Sequence, residues 1–329
     1  MPNTIGAGGH LKSARSTAAT VVYTTLMLVL WIGLRQSPPA VVLGAHFLRA
    51  FASFAFLLAP IWFFGFGAAE PIQRLPHQGR IALAGLLALP YLVFAAGTPA
   101  WRWPMAVMLA ASPTLLAVIL DVREPPAWMT WQDAIVLMII VAVHYSKLLP
   151  TAWPLPGWAF LPKLFLADVA LYCFLVIRRL DGMGYSLVPA LSALTVGLRE
   201  WAFFLPIAFL LGEGIGFIHF HAAGVGLGSV LTRVLLTFLL IAIPEELFFR
   251  GILQNLLETR LGRFPALLLA SLLFGLSHFN HGASFNWRYV LLASIAGIFY
   301  GRAWRADRQI LSSVVTHTFV DVVWSLWFR

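Results

Sequence analysis

The sequence has few charged residues and almost no cysteine. Only 11% of its 329 residues are charged, and its acidic residues number 13. The single cysteine, Cys173, lies in an apolar stretch and excludes an internal disulfide. At 60% hydrophobic residues, the chain carries more apolar surface than one soluble core can bury. The low charge and the high apolar content exclude an ordinary soluble domain and predict a protein that crosses a membrane several times.

Long apolar runs are plentiful and reach the length that a membrane helix needs, about 17–25 residues. An open sheet would leave backbone groups unpaired in lipid, so the prediction is an all-α polytopic bundle of about 10–11 transmembrane helices. The predicted segments are 17–34, 41–66, 80–97, 104–120, 133–149, 159–177, 187–212, 229–257, 264–280, 288–304 and 309–327.

The formal charge of +9 does not indicate nucleic-acid binding, because the basic residues are scattered over the short loops between apolar segments. Their distribution follows the positive-inside rule when the N-terminus is placed in the cytoplasm. We expect an integral, multi-pass protein of a bacterial cytoplasmic membrane, with membrane lipid as its surroundings and no nucleic-acid partner.

A break rich in proline and glycine, Trp153–Gly157, suggests a division of the chain. Residues 1–157 would form an N-terminal membrane region of about five spans, whose role the sequence does not indicate. Residues 158–329 would form a second region, which carries the polar motifs described next.

Two adjacent carboxylates interrupt an otherwise apolar run at Glu245 and Glu246, and Arg250 follows them. Each such charge costs roughly 2.5–3.5 kcal/mol at the centre of a membrane helix, which favours a functional role. On a helix, Glu246 and Arg250 stand at i and i+4 and can form an ion pair. Glu245 points about 100° away and is available for chemistry.

Two histidines in later spans complete a possible catalytic group. His278 ends one apolar segment, four residues after Phe274, while His317 and Asp321 lie one turn apart on the final segment. A glutamate partly removed from water can act as a general base, and imidazoles can hold the water or stabilise an oxyanion. The residues therefore suit hydrolysis of a peptide bond inside the membrane.

These motifs resemble those of the CAAX-protease and bacteriocin-processing (CPBP) family of intramembrane endopeptidases, which includes the type II CAAX prenyl endopeptidases. Glu245, Glu246 and Arg250 match its first motif. Phe274 with His278 matches the second motif, and His317 with Asp321 the third, over about residues 159–329.

The resemblance implies that Glu245 activates the water and that His278 helps to position it. It implies that His317 and Asp321 stabilise the oxyanion and the substrate carbonyl, with Glu246, Arg250 and Phe274 in support. Some members of the family carry Asn at the position of Asp321, and its amide can donate a hydrogen bond, whereas an ionised aspartate can only accept one. Asp321 could instead orient His317, or it could stay protonated.

The resemblance leaves metal dependence open. Glu245, His278 and His317 could ligate zinc, since two histidines and a glutamate form a known catalytic set. The chain lacks the HExxH spacing, and we favour a glutamate mechanism without a cofactor over the zinc alternative.

The expected substrate is a peptide or protein that is lipidated or anchored in the membrane; a prenylated tail and a bacterial peptide, anchor or sorting signal are both compatible with the sequence. Two other functions remain as alternatives. One is a transporter in which the buried charges relay ions, and the other is a non-catalytic immunity-type binding protein. A second charged pair inside a span, Arg199–Glu200, is interpreted as structural, as a helix break or as part of the cavity lining.

Overall fold

The computed structural model describes residues 5–35, 44–122, 124–155, 157–221, 224–279 and 285–328, with side chains from residue 15 onwards except that of Ala45. Pro156 of the predicted break, and residues 41–43 and 280 of two predicted segments, lie outside this part of the chain. Over the described ranges all regular secondary structure is helical, apart from an isolated bridge between Phe220 and Phe328. The predicted all-α membrane bundle is therefore confirmed.

The helices are numbered here in chain order, with continuous stretches treated as one helix. They are α1 Ile5–Arg35, α2 Phe47–Gly65, α3 Ala69–Gln73, α4 His77–Ala95, α5 Trp103–Leu120, α6 Trp131–Tyr145, α7 Leu161–Leu171 with its π-helical continuation Tyr172–Ile177, α8 Leu191–Gly214, α9 Leu227–Leu261, α10 Arg263–Leu276, α11 Trp287–Asp307 and α12 Ile310–Trp327. All eleven predicted apolar segments coincide with one of these helices.

Fewer helices meet the full length and hydropathy requirement of a membrane span than the eleven segments predicted. Within the described residues seven do so, namely α1, α2, α4, α5, α8, α9 and α12. The apolar helices α6 and α10 have 15 and 14 residues and fall short of the usual length. Charged residues such as Arg302 and Arg305 place α11 outside the set.

Two compact units divide the chain between Arg179 and Leu180, apart from the segment 126–130, which belongs to the second unit. The sequence-based division at residue 157 lies earlier, so α7 falls in the first unit. In that unit α2 packs against α1, α4 and α7. A buried ion pair joins Arg178 Nε to Asp133 Oδ1 at 3.0 Å. The role of this unit remains unassigned.

The second unit is built around α11, which packs against α8, α10 and α12. Its core includes Phe204, Phe274, Phe299 and Tyr300. Small residues allow the helix backbones to approach closely, as is usual where helices associate in membranes. A Cβ atom added at Gly275 would lie 2.5 Å from the carbonyl oxygen of Val290 on the facing helix.

The helix α9 departs from regular α geometry on both sides of the two glutamates. It widens into a π-helix over Phe238–Ala242 and again over Leu247–Gln254. Pro244 lies two residues after the end of the first widening. Proline has no N–H and its ring clashes with the carbonyl of residue i−4, so a local change of register accommodates it. Single π turns are frequent at functional sites.

We expect Gly275→Ala to destabilise the protein by about 1–3 kcal/mol, because the added methyl group would overlap the backbone of α11. The matched control is Gly228→Ala, in α9, where an added Cβ has no heavy atom within 4 Å. This control should be neutral or stabilising by less than about 1 kcal/mol. Thermal unfolding of both purified full-length variants in detergent measures the difference, and equal midpoints would contradict the close packing.

Candidate active site

The centre of the second unit is the buried carboxylate of Glu246, whose side chain has no exposed surface. Its Oε1 lies 3.2 Å from Arg250 Nη1 and 2.7 Å from His317 Nδ1. Its Oε2 accepts a hydrogen bond from the hydroxyl of Ser313. The predicted ion pair between Glu246 and Arg250 is therefore confirmed, and two further partners from α12 complete it.

Arg250 is held on several sides at once. Its Nη2 donates to the carbonyl oxygen of Gly297 at 3.2 Å. Its guanidinium carbon lies 4.5 Å from the ring centroid of Phe274 and 5.2 Å from that of Tyr300, within the range of cation–π attraction. The absence of a side chain at Gly297 permits this approach, since an added Cβ would lie 3.3 Å from Arg250 Nη2.

The imidazole of His317 lies between the buried Glu246 carboxylate and two more exposed ones. While Nδ1 faces Glu246, Nε2 lies 3.5 Å from Asp321 Oδ2 and 3.9 Å from Glu245 Oε2. The ring is stacked on Tyr300, with 4.6 Å between centroids and 15° between planes. A carboxylate at Nδ1 fixes the ring orientation and favours a proton on that nitrogen.

The two adjacent glutamates occupy different environments. The side chain of Glu246 is fully buried, whereas that of Glu245 is 21% exposed. Asp321, on the same side of His317, is 28% exposed. Glu245 and Asp321 therefore mark the open side of the site, and Glu246 marks its closed side.

His278 lies beyond Phe274, just after the end of α10. Its Nδ1 is 2.9 Å from the carbonyl oxygen of Phe274, and its ring centroid is 4.9 Å from the rings of both Phe274 and Tyr289. The ring of Phe274 also contacts His317 edge-on, with 5.7 Å between centroids. Phe274 thus contacts both predicted imidazoles, and residues of all three sequence motifs lie in one region.

Sequence reasoning missed Ser313 and Tyr300 as members of this group. Ser313 precedes His317 by one helical turn, so the position of the histidine gave a usable signal. Tyr300 lies between Gly297 and Gly301 in the sequence, and nothing in these neighbours indicates that its ring stacks on His317.

The zinc alternative needs three ligands close enough to share one ion. In the ranges that the structure describes, no group of three or more histidine, cysteine, aspartate or glutamate side chains is arranged to hold a metal. Nδ1 of His317 faces Glu246 and Nδ1 of His278 faces a backbone carbonyl, so Nε2 is the nitrogen that each ring would offer to a ligand.

A surface cavity of about 390 Å³ lies elsewhere in the second unit, where α9 begins and α12 ends. Its lining includes His221, Ser229, Arg233 and Ser325, and none of the motif residues. The candidate active site therefore lies outside this cavity.

Comparison with known proteins bears on this region directly. Residues 227–323 match the family described as type II CAAX prenyl endopeptidase Rce1-like, a range that contains all three motifs. No curated protein and no solved structure matches the chain significantly. The resemblance inferred from the motifs is thereby confirmed for residues 227–323, which are similar to the Rce1-like type II CAAX prenyl endopeptidases.

Proposed function

We propose that the protein is an intramembrane endopeptidase in which Glu245 activates the water that attacks a peptide carbonyl. The observation that carries this proposal is the separation of 3.9 Å between Glu245 Oε2 and His317 Nε2, on the more exposed side of a fully buried Glu246 network. The separation is too long for a direct hydrogen bond. A water placed about 2.8 Å from both atoms would bridge them at an angle of roughly 90°.

Glu245 is the carboxylate that suits the role of base. Its neighbour Glu246 accepts hydrogen bonds from Arg250 and Ser313 and contacts His317, so its lone pairs are occupied. Glu245 is partly exposed and can take a proton from water, then deliver it to the amine that leaves when the peptide bond breaks. The nucleophile is water, and no covalent intermediate is needed.

His317 would stabilise the oxyanion through Nε2. With Glu246 accepting from Nδ1, the imidazole donates from Nε2 when it is protonated, and an imidazolium also places positive charge beside the developing oxyanion. Asp321 Oδ2 lies 3.5 Å from the same nitrogen. We propose that the Asp321 carboxylate orients the edge of the ring that carries Nε2, a role that needs no donor of its own.

His278, whose ring packs against Phe274, would position the water or the substrate. A hydrogen bond from its Nδ1 to the carbonyl oxygen of Phe274 fixes the ring and turns Nε2 away from that carbonyl. Contact with the ring of Tyr289 limits rotation further.

The substrate that we propose is a peptide or protein with a lipid or a membrane anchor near the cleaved bond, in a bacterial cytoplasmic membrane. The family match supports a prenylated tail as one candidate. The membrane-spanning helices support a substrate that reaches the site from within the bilayer or from its surface.

We expect Glu245→Gln to lower kcat by roughly 100-fold or more, because glutamine keeps the shape but cannot accept the proton. Cleavage of a farnesylated peptide and of an unmodified transmembrane peptide, both in detergent, would measure it. The control is Glu70→Gln, which removes an exposed carboxylate of the first unit whose side chain is 45% exposed. If Glu245→Gln kept the wild-type kcat on a peptide that the wild-type protein cleaves, the proposed base would be wrong.

Two adjacent buried serines provide a test of the Glu246 network. Ser313 donates to Glu246, whereas the hydroxyl of Ser312 donates to Asp307 Oδ2 at 2.7 Å. We expect Ser313→Ala to lower kcat by roughly tenfold at unchanged KM, since a hydrogen bond to a charged group contributes about 1.5–3 kcal/mol. It should also shift the pH profile of kcat, because the carboxylate that orients His317 has changed.

Ser312→Ala should lower thermal stability without changing kcat or its pH profile. Ser313→Thr, which keeps the hydroxyl, should recover part of the lost rate. Equal effects of Ser312→Ala and Ser313→Ala on kcat would mean that the serine on Glu246 contributes only to packing.

Metal dependence is tested separately. Because the proposed mechanism uses only side chains and water, we expect activity to survive prolonged treatment with a strong zinc chelator. Elemental analysis of the active, purified protein should find well below one zinc per chain. Loss of activity on chelation that added zinc restores would support the zinc alternative instead.

A further inference from the structure

A second charged cluster lies in the same unit, on α8 and α11. Glu200 is 1% exposed, and its Oε1 accepts hydrogen bonds from Arg199 Nη2 at 2.9 Å and Nε at 3.2 Å. Its Oε2 lies 3.0 Å from Nε of Arg302. One buried carboxylate thus holds two guanidiniums from neighbouring helices, which explains the charged pair that the sequence places inside a span.

The cluster is separate from the candidate active site. On α11, Tyr300 faces His317, and Arg302 follows two residues later. Two residues correspond to a rotation of about 200° around a helix, so Arg302 projects from the opposite side of α11. Its guanidinium lies 5.3 Å from the ring centroid of Phe299, which itself packs against Phe204 of α8.

The cations of the cluster are only partly neutralised. Two guanidiniums share one carboxylate, which leaves a net charge of about +1 by simple counting. The side chains of Arg199 and Arg302 are 51% and 47% exposed. Among the described residues, both Nη groups of Arg302 and Nη1 of Arg199 make no hydrogen bond. Several N–H donors are therefore available for an anion.

Both arginines lie within about three turns of a helix end. Arg199 lies eight residues after the start of α8 at Leu191, or about 12 Å along it, and Arg302 lies five residues before the end of α11 at Asp307, or about 8 Å. The aliphatic stem of an arginine at this depth can lie against apolar surface while its guanidinium reaches the headgroup layer.

We propose that Arg199 and Arg302, held side by side by Glu200, bind the phosphate of an anionic phospholipid. A guanidinium binds phosphate oxygens through paired N–H donors, and two guanidiniums on one carboxylate present such donors together. A basic site between membrane helices is the usual form of headgroup recognition. The lipid would occupy the outer side of α8 and α11, distinct from the substrate of the proposed peptidase.

The test measures retention of lipid on the full-length protein by native mass spectrometry in detergent. Phosphatidylglycerol is the probe, and phosphatidylcholine, which has the same phosphate but no net charge, is the comparison. Each arginine near an anionic lipid should strengthen binding about fivefold. We therefore expect Arg199→Gln and Arg302→Gln each to weaken binding of phosphatidylglycerol about fivefold, and the double variant roughly 30-fold.

The matched control is Arg263→Gln, which removes an exposed arginine of the same unit, at the start of α10. It should change binding less than twofold, and Arg199→Lys with Arg302→Lys should bind phosphatidylglycerol more tightly than the double glutamine variant but less tightly than the wild type, because lysine keeps the charge and loses the paired donors. Unfolding of each variant without lipid shows whether it is folded. If the double glutamine variant is unstable, the single variants and the lysine pair carry the comparison.

The proposal is wrong if folded glutamine variants keep the wild-type affinity for phosphatidylglycerol, or if Arg263→Gln weakens binding as much as they do. It is also wrong if lipid binding is unchanged while the same variants raise the KM for a peptide substrate, because the arginines would then bind the peptide. None of the lipid measurements depends on peptidase activity, so they stand apart from the test of Glu245.

Discussion

The arrangement of the second unit depends on the burial of one carboxylate, that of Glu246. A charge with no exposed surface requires partners, and its removal from water costs several kcal/mol. Arg250 on the same helix supplies the counter-charge, while Ser313 and His317 supply contacts from α12. Loss of one partner from a buried pair costs about 3–5 kcal/mol, so this network fixes α12 against α9. The orientation of His317 follows from the same constraint.

The position of Glu245 is a consequence of that network. Adjacent residues on a helix point about 100° apart, so burial of Glu246 turns Glu245 toward the more exposed side of the site. Glu245 then meets the second nitrogen of the imidazole whose first nitrogen contacts Glu246. His317 thus contacts the buried Glu246 through Nδ1 and faces the more exposed Glu245 through Nε2. This division of roles between neighbouring glutamates is the physical basis of the proposed chemistry.

The sequence predicted the helical segments and the ion pair, because apolar length and the i, i+4 spacing are local properties. It did not predict that α9 widens into π-helix on both sides of the glutamates, since periodicity rules assume regular α geometry. It also paired Glu246 with Arg250 alone. A buried carboxylate offers about four acceptor positions, so one arginine could not have satisfied it. That count requires further donors. Ser313, one turn before His317, was a candidate that the sequence already offered.

A buried carboxylate with basic partners appears twice in this unit, and the two sites differ in the exposure of those partners. Glu246 is surrounded by one guanidinium, a hydroxyl and an imidazole, all buried, so none of these donors faces outward. Glu200 is buried as well, but it holds two half-exposed guanidiniums. Buried donors around a carboxylate hold helices together. Exposed donors that the carboxylate leaves without a partner can attract an anion from outside. The exposure of the cations around each glutamate therefore distinguishes the proposed catalytic site from the proposed lipid site.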